Sequence, residues 1–188
     1  MADLAQRAGL ELPREAQVAR DPGSADLHEL MLRAARFFEQ NLADNARAQA
    51  YVERRGIDAK TCAKFGLGYA PDAWEALLKR FGTEEEERRR LLQVGLILER
   101  TGERTSGFYD RFRDRLMFPI RDSRGRVIGF GGRVIDQGEP KYMNSPETPL
   151  FHKGRELYGL FEARQARADF KRLLIVEFMY LEIGRAHV

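Results

Sequence analysis

One cysteine, Cys62, is all that the 188 residues offer to thiol chemistry. It excludes an internal disulfide framework and any cysteine-rich zinc site. No run is long and apolar enough for a membrane span, and the N-terminus lacks the basic-then-apolar pattern of a secretory signal. The expected compartment is therefore the cytoplasm. A dinucleotide fingerprint is missing too: Gly129-Phe130-Gly131-Gly132-Arg133 lacks the G-x-G-x-x-G spacing and does not open a helix. Nor is there a large excess of one charge, since the net value is only +3. What remains is 43% hydrophobic and 32% charged residues, the composition of one water-soluble domain with a real core. The charges are unevenly placed. Acids crowd into residues 84–87, and arginine and lysine into residues 110–153.

The first half reads as helical. Residues 1–12 form a short amphipathic stretch and 13–24 a polar linker. Asp26 is expected to cap a helix running to about Leu42, with Leu27, Leu30, Met31, Ala34, Phe37, Phe38 and Leu42 on one face. Asp44 or Asn45 caps a second helix that turns Ala48, Tyr51 and Val52 inward and stops at Gly56. Asp58 starts a third, ending at Gly66. Asp72 starts a fourth with Trp74, Leu77, Leu78 and Phe81 buried, ending at Gly82. Thr83 caps a fifth, whose Glu84–Arg88, Glu85–Arg89 and Glu86–Arg90 pairs have the favourable spacing for a solvated face. Cys62 reads as core.

After Gly95 the pattern turns to strands. Arg111, Arg113 and Arg115 alternate, which in a strand directs all three guanidinium groups to one face. Residues 116–121 and 126–135 read as a hairpin around a turn. Gly129, Gly131 and Gly132 sit where a strand should be full, a sign that another backbone or a ligand comes close. Lys141, Tyr142 and Asn144 follow, then His152 and Lys153. Residues 155–168 read as a helix with Leu157, Leu160, Phe161 and Ala163 near its apolar side. Residues 173–176 are a continuous apolar run, as in a strand buried on both faces, and Glu177 closes it. Composition leaves two readings of the basic block open. One is a solvated hairpin; the other is a cationic floor with interleaved rings, as single-stranded nucleic acid requires. Arg115 and Arg121 are equally suited to pairing with Asp114 or Asp122.

The wording of four blocks is more specific than their composition. RFRDRLMFPIRD, GRVIGFGGR, PKYMNSPET and FHKGRELYGL, in this order, closely resemble the RNA-polymerase core of bacterial-type replicative DNA primase. The resemblance is ungapped over residues 109–160 and looser back to Ala35 and forward to Glu177. It implies an α+β fold: a helical N-terminal part, a basic hairpin and mixed-sheet subdomain at 26–169, and the first strand of a truncated α/β Toprim domain at 170–181. Residues 1–25 would be a linker from a zinc-binding domain not included here.

The resemblance also implies that Arg55, Arg111, Arg113, Arg133, Lys141 and Lys153 contact template or nucleotide. Tyr142 would offer a stacking surface and Asn144 an amide, with Gly129, Gly131 and Gly132 as places of backbone approach. Glu177 would be the catalytic carboxylate at a magnesium or manganese site. The family reads EGYMD there, whereas this chain reads Glu177-Phe178-Met179-Tyr180-Leu181, and the later Asp-x-Asp acids do not appear. Residues 183–188 back-translate to sequencing-adapter sequence, and 182–188 are expected to be a non-native tail. The implied function is that of a fragment of a nucleotidyltransferase that makes RNA primers on single-stranded DNA, inactive on its own. Ribonucleotides would be substrates, and the replicative helicase a partner of the full-length protein only. The alternative is a non-catalytic module that binds single-stranded nucleic acid.

Overall fold

A computed structural model describes residues 22–100 and 107–166. The chain is α+β. Helix α1 (Pro22–Ala43) is followed by α2 (Ala46–Arg54), α3 (Ala59–Phe65), strand β1 (Gly68–Ala70), α4 (Ala76–Phe81) and α5 (Glu85–Gln93). Then come β2 (Ile97–Glu99), β3 (Phe108–Asp110), β4 (Arg115–Arg121), β5 (Val127–Val134), β6 (Tyr142–Asn144), a 3-10 turn (Lys153–Arg155) and α6 (Leu160–Ala166). An antiparallel sheet has the order β1-β4-β5-β6, and β2 pairs with β3 separately.

The expected hairpin is β4–β5, paired from Arg115 opposite Val134 to Arg121 opposite Val127. Its strands follow the two-residue period: Leu116 and Phe118 pack with Tyr51 and Val52 of α2, while Met117 packs with α1, α4 and α5. Pro119 lies beyond the three residues of β4 that pair with β1, so its missing N–H takes nothing from that side of the ladder. Helix α1 crosses close to β1. A Cβ at Gly68 would lie 2.5 Å from that of Phe38, which only glycine permits. Phe130 of β5 meets Phe38 edge-on at 5.3 Å. Ser145, fully buried, accepts from Phe130 N–H through its hydroxyl and donates its own N–H to Phe130 O, fastening the segment after β6 to β5.

Local signals locate several helix ends. Asn45 and Asp58 cap α2 and α3 through side-chain oxygens that accept from Ala48 and Thr61 N–H, and Gly66 closes α3 at φ +63°. Other ends differ from expectation. Helix α1 starts at Pro22, so Asp26 lies inside it; proline suits a first helical position, where no N–H is needed. Helix α4 starts at Ala76 rather than near Asp72, because its first N–H groups are satisfied from elsewhere. Asp110, 33 residues away, accepts from Leu77 N–H at 2.7 Å and from Leu78 N–H at 2.9 Å. Trp74 is consequently outside the helix and 58% exposed.

Helix α5 begins after Glu84, and the Glu87 carboxylate gathers Glu84 N–H and the Thr83 hydroxyl. The Glu85–Arg89 and Glu86–Arg90 pairs form, whereas Arg88 donates to Gly82 and Thr83 carbonyls instead of reaching Glu84. Residues 156–159 are not helical. A turn and extended Glu156 precede α6, which leaves Leu157 41% exposed. Arg121 pairs with buried Glu162 of α6 at 3.4 Å, not with Asp122, which takes Arg126. Asp114 pairs with Arg47, not with Arg115. Among the described residues no helix is long and apolar enough to cross a membrane. The strand expected at 173–176, Glu177 and the tail lie outside the described residues.

Candidate nucleic-acid interface

The strand register sets the site. Arg133 on β5 faces Tyr142 on β6 as a cross-strand partner, with Gly132 opposite Met143 and Gly131 opposite Asn144. Tyr51 reaches this spot from α2, and its hydroxyl accepts a hydrogen bond from Arg133 Nη1. Three cations then surround Tyr51, with Arg55 at 5.2 Å from the ring centre, Arg54 at 5.5 Å and Arg133 at 5.7 Å. Tyr142 carries two, Arg133 at 5.5 Å and Lys141 at 5.8 Å. Sequence-predicted residues from both ends of the described chain, Arg55, Arg133, Lys141 and Tyr142, thus meet in one cluster. The structure adds Tyr51 and Arg54 to them.

Arg133 is only 4% exposed. Among the described residues it pairs with no carboxylate, and its Nε has no hydrogen-bond partner. A buried cation usually costs several kcal/mol unless paired. Here a phenol oxygen and two ring faces offset part of that cost, and no carboxylate among the described residues compensates the positive charge.

Arg111, Arg113 and Arg115 do not share a strand face, because residues 111–114 are irregular between β3 and β4, with Asp114 at φ +48°. The three go separate ways. Arg111 is half-buried, its Nε without a partner, and burial lowers its pKa. Arg113 stacks on exposed Trp74 at 4.0 Å and donates to Asp110 O. Arg115 is buried and donates to Lys141 O at 3.4 Å; burial, then the nearby Arg113, lowers its pKa. Arg115 therefore joins the Trp74–Arg113 end of the site to the Tyr51–Tyr142 end.

Asn144 is exposed on β6. Lys153 lies exposed in the 3-10 turn, and its N–H donates to Glu147, whose carboxylate this bond holds below the usual range. His152 Nδ1 sits 3.2 Å from the same carboxylate. The space beside Gly129 and Gly132 belongs to the protein itself. An added Cβ would meet the Phe151 ring at 3.1 Å in the first case, and Phe112 at 3.0 Å and Arg115 at 3.1 Å in the second. Close approach by side chains, not an open face, accounts for those two glycines. Gly131 is buried in the same strand. Cys62 is half-buried beside the α2–α3 core, and burial raises its thiol pKa. The described residues contain no group of three or more His, Cys, Asp or Glu suited to a metal ion.

Residues 37–164 match the family described as the DNA primase catalytic core, N-terminal domain. The DNA primase of Pseudomonas aeruginosa is 47% identical over 185 residues, covering 93% of this chain and 27% of that protein. For the DNA primase of Escherichia coli K12 the identity is 47% over 182 residues, covering 93% and 31%. The chain thus spans roughly a quarter to a third of such relatives. Among solved structures, a DnaG primase catalytic domain bound to single-stranded DNA superposes with a TM-score of 0.76 at 49% identity, covering 81% of this chain and 49% of the other. The E. coli primase catalytic core gives 0.75 at 49% identity, covering 80% and 48%.

Proposed function

We propose that this chain, which belongs to the DNA primase catalytic core N-terminal domain family, is the template-holding part of a DNA primase. Single-stranded DNA would lie along the Tyr51–Tyr142 cluster, its phosphates on Arg54, Arg55 and Lys141 in the field of buried Arg133 and its bases on the half-buried Tyr142 ring. One observation carries the reading: Arg133 is buried against the Tyr51 hydroxyl and two rings, with no carboxylate among the described residues to neutralise it. A field of that sign favours an anion, and a phosphate chain supplies several at the right chemistry. The relative solved with single-stranded DNA supports the same ligand.

In the whole protein the reaction would be the joining of ribonucleotides on that template. Magnesium or manganese would stabilise the charge that develops on the transferring phosphate. The described residues do not fit such an ion, and their part is to bind and orient. Glu177, which closes the apolar run 173–176 within residues 170–181, is the proposed metal-site carboxylate. Zinc is assigned to a separate domain, in keeping with the Aquifex aeolicus primase described by its zinc-binding and RNA polymerase domains. The replicative helicase would be a partner of the full-length protein. Residues 26–169 are proposed as the template-holding unit.

Fluorescence anisotropy of a labelled oligothymidine tests the reading. The chain is expected to bind it, and Lys141→Ala and Tyr142→Ala each to weaken binding at least several-fold. Unchanged affinity in both variants would remove the template from this cluster.

A further inference from the structure

A carboxylate stands beside the cations of the Tyr51–Tyr142 cluster. Asp136 lies on the connection from β5 to β6, exposed, directly after buried Ile135. Its Oδ1 is 3.8 Å from Arg54 Nη2 and its Oδ2 3.3 Å from Arg47 Nε. Arg47 and Arg54 stand near the two ends of α2, about two turns apart and so on one face of the helix. Arg47 is anchored from its other side as well. It pairs with Asp114, which accepts from the Tyr69 hydroxyl at 2.8 Å. Arg54 has no second carboxylate among the described residues, and its guanidinium rests on the Tyr51 ring at 5.5 Å. The side chains of the Arg54–Asp136 pair are 66% and 53% exposed. Ion pairs so exposed hold weakly, and a better-placed anion displaces them.

We propose that Asp136 is a built-in competitor of the template: in the free protein it holds Arg54 in the place of a phosphate, and single-stranded DNA binds by displacing it. The inference rests on the template-holding reading and deepens it. The carboxylate lowers affinity, because its charge opposes the phosphate chain and Arg54 reaches the strand only by leaving a partner. It also lowers salt dependence. A phosphate that shares Arg54 with Asp136 is incompletely neutralised and keeps part of its counterion atmosphere. A strand that is copied has to be moved along its site. A cation that returns to a neighbouring carboxylate releases the strand more readily than one left bare.

Asp136→Asn keeps the size of the side chain and removes only its charge. The affinity of the chain for a labelled oligothymidine is measured by anisotropy from about 50 to 200 mM salt, in the parent and in the variant. The variant is expected to bind about two- to fivefold tighter at the low end, as the loss of one exposed charge pair allows. Its log–log slope should be steeper by about 0.7, one further neutralised phosphate, so the gain should shrink by about 2.6-fold at the high end. Asp136→Ser, which also lacks the charge, should behave alike. In an Arg54→Ala background the slope should no longer respond to Asp136→Asn, and most of the gain should vanish.

An Asp136→Asn protein with the parent's affinity and slope would overturn the competition and leave the template-holding reading intact. So would an equal gain with and without Arg54, which would reduce Asp136 to general repulsion. Absence of any binding by the parent would overturn both readings.

Discussion

Replacing Tyr51 by phenylalanine removes one oxygen and leaves the ring. Tyr51 is 2% exposed and packs with Leu116 and Phe118, and the ring faces toward Arg54, Arg55 and Arg133 are kept in the variant. What is lost is the acceptor for Arg133 Nη1. Arg133 Nε already lacks a partner, so the buried guanidinium would be left with still less to offset its desolvation. A hydrogen bond to a charged group contributes about 1.5–3 kcal/mol, and about 2 kcal/mol is the expected loss of stability. With a urea dependence of about 2 kcal/mol per molar, the unfolding midpoint should fall by about 1 M.

The origin of that loss is checked in an Arg133→Met background. There no cation needs the acceptor, and the Tyr51 hydroxyl is itself a buried group without its donor. Tyr51→Phe should then be neutral or stabilising, giving a coupling of at least about 1.5 kcal/mol between the two sites. Urea unfolding of the four proteins, followed by circular dichroism, measures it. An equal cost of Tyr51→Phe in both backgrounds would refute the claim that the phenol serves the buried cation.

Three further outcomes are expected. Glu162→Ala leaves Arg121, 19% exposed, without its carboxylate and should cost about 3 kcal/mol in urea unfolding; a loss below 1 kcal/mol would mean that Arg121 is already satisfied by Gly125 O, to which it also donates. Gly95 has φ +70° and lies where a Cβ would meet Pro146 at 2.5 Å, so Gly95→Ala should lower the thermal midpoint far more than Gly154→Ala, where nothing stands within 4 Å. Burial pushes Asp110 from 3.8 up to about 6, against the pull of Leu77 and Leu78 N–H. The folded chain then holds this proton more tightly than the unfolded one, so the Asp110 contribution to stability is present at low pH and is lost as pH rises from about 4 to about 6. Urea midpoints across that range should lose this component in Asp110→Asn, and an unchanged profile would show that Asp110 is not its source.

What the sequence made legible was what local periodicity and local caps determine. The stripe from Leu27 to Leu42 repeats at helical spacing, and its residues lie in the core except Phe37, which packs half-buried against it. Asn45, Asp58 and Gly66 act on neighbours three or four residues away, so reading the chain in order suffices to find them. The β4–β5 hairpin is announced by its turn and by the apolar run on either side. The misread positions are governed by distant partners. Asp110 caps α4 from 33 residues away, which moves the helix start past Trp74 and turns that ring outward. The alternation of Arg111, Arg113 and Arg115 has the period of a strand, but the backbone leaves the strand region at Asp114, which Arg47 and the Tyr69 hydroxyl both hold. Tyr51 looks like one more apolar position on a helix. Its bond to Arg133 spans 82 residues, and nothing in the local pattern signals it. Arg55, Arg133, Lys141 and Tyr142 were identifiable by resemblance, while their meeting on shared rings is a product of the fold.

The central claim is that DNA phosphates lie on the cations of the Tyr51–Tyr142 cluster, and the salt dependence of binding tests it most directly. The affinity of the chain for oligothymidine is measured from about 50 to 200 mM salt, beside an Arg55→Ala/Lys141→Ala variant. Each neutralised phosphate of a single strand contributes a slope of about −0.7, so the double variant should flatten the log–log plot by about 1.4. A variant that binds with the parent's slope would place the DNA on another surface and contradict the account.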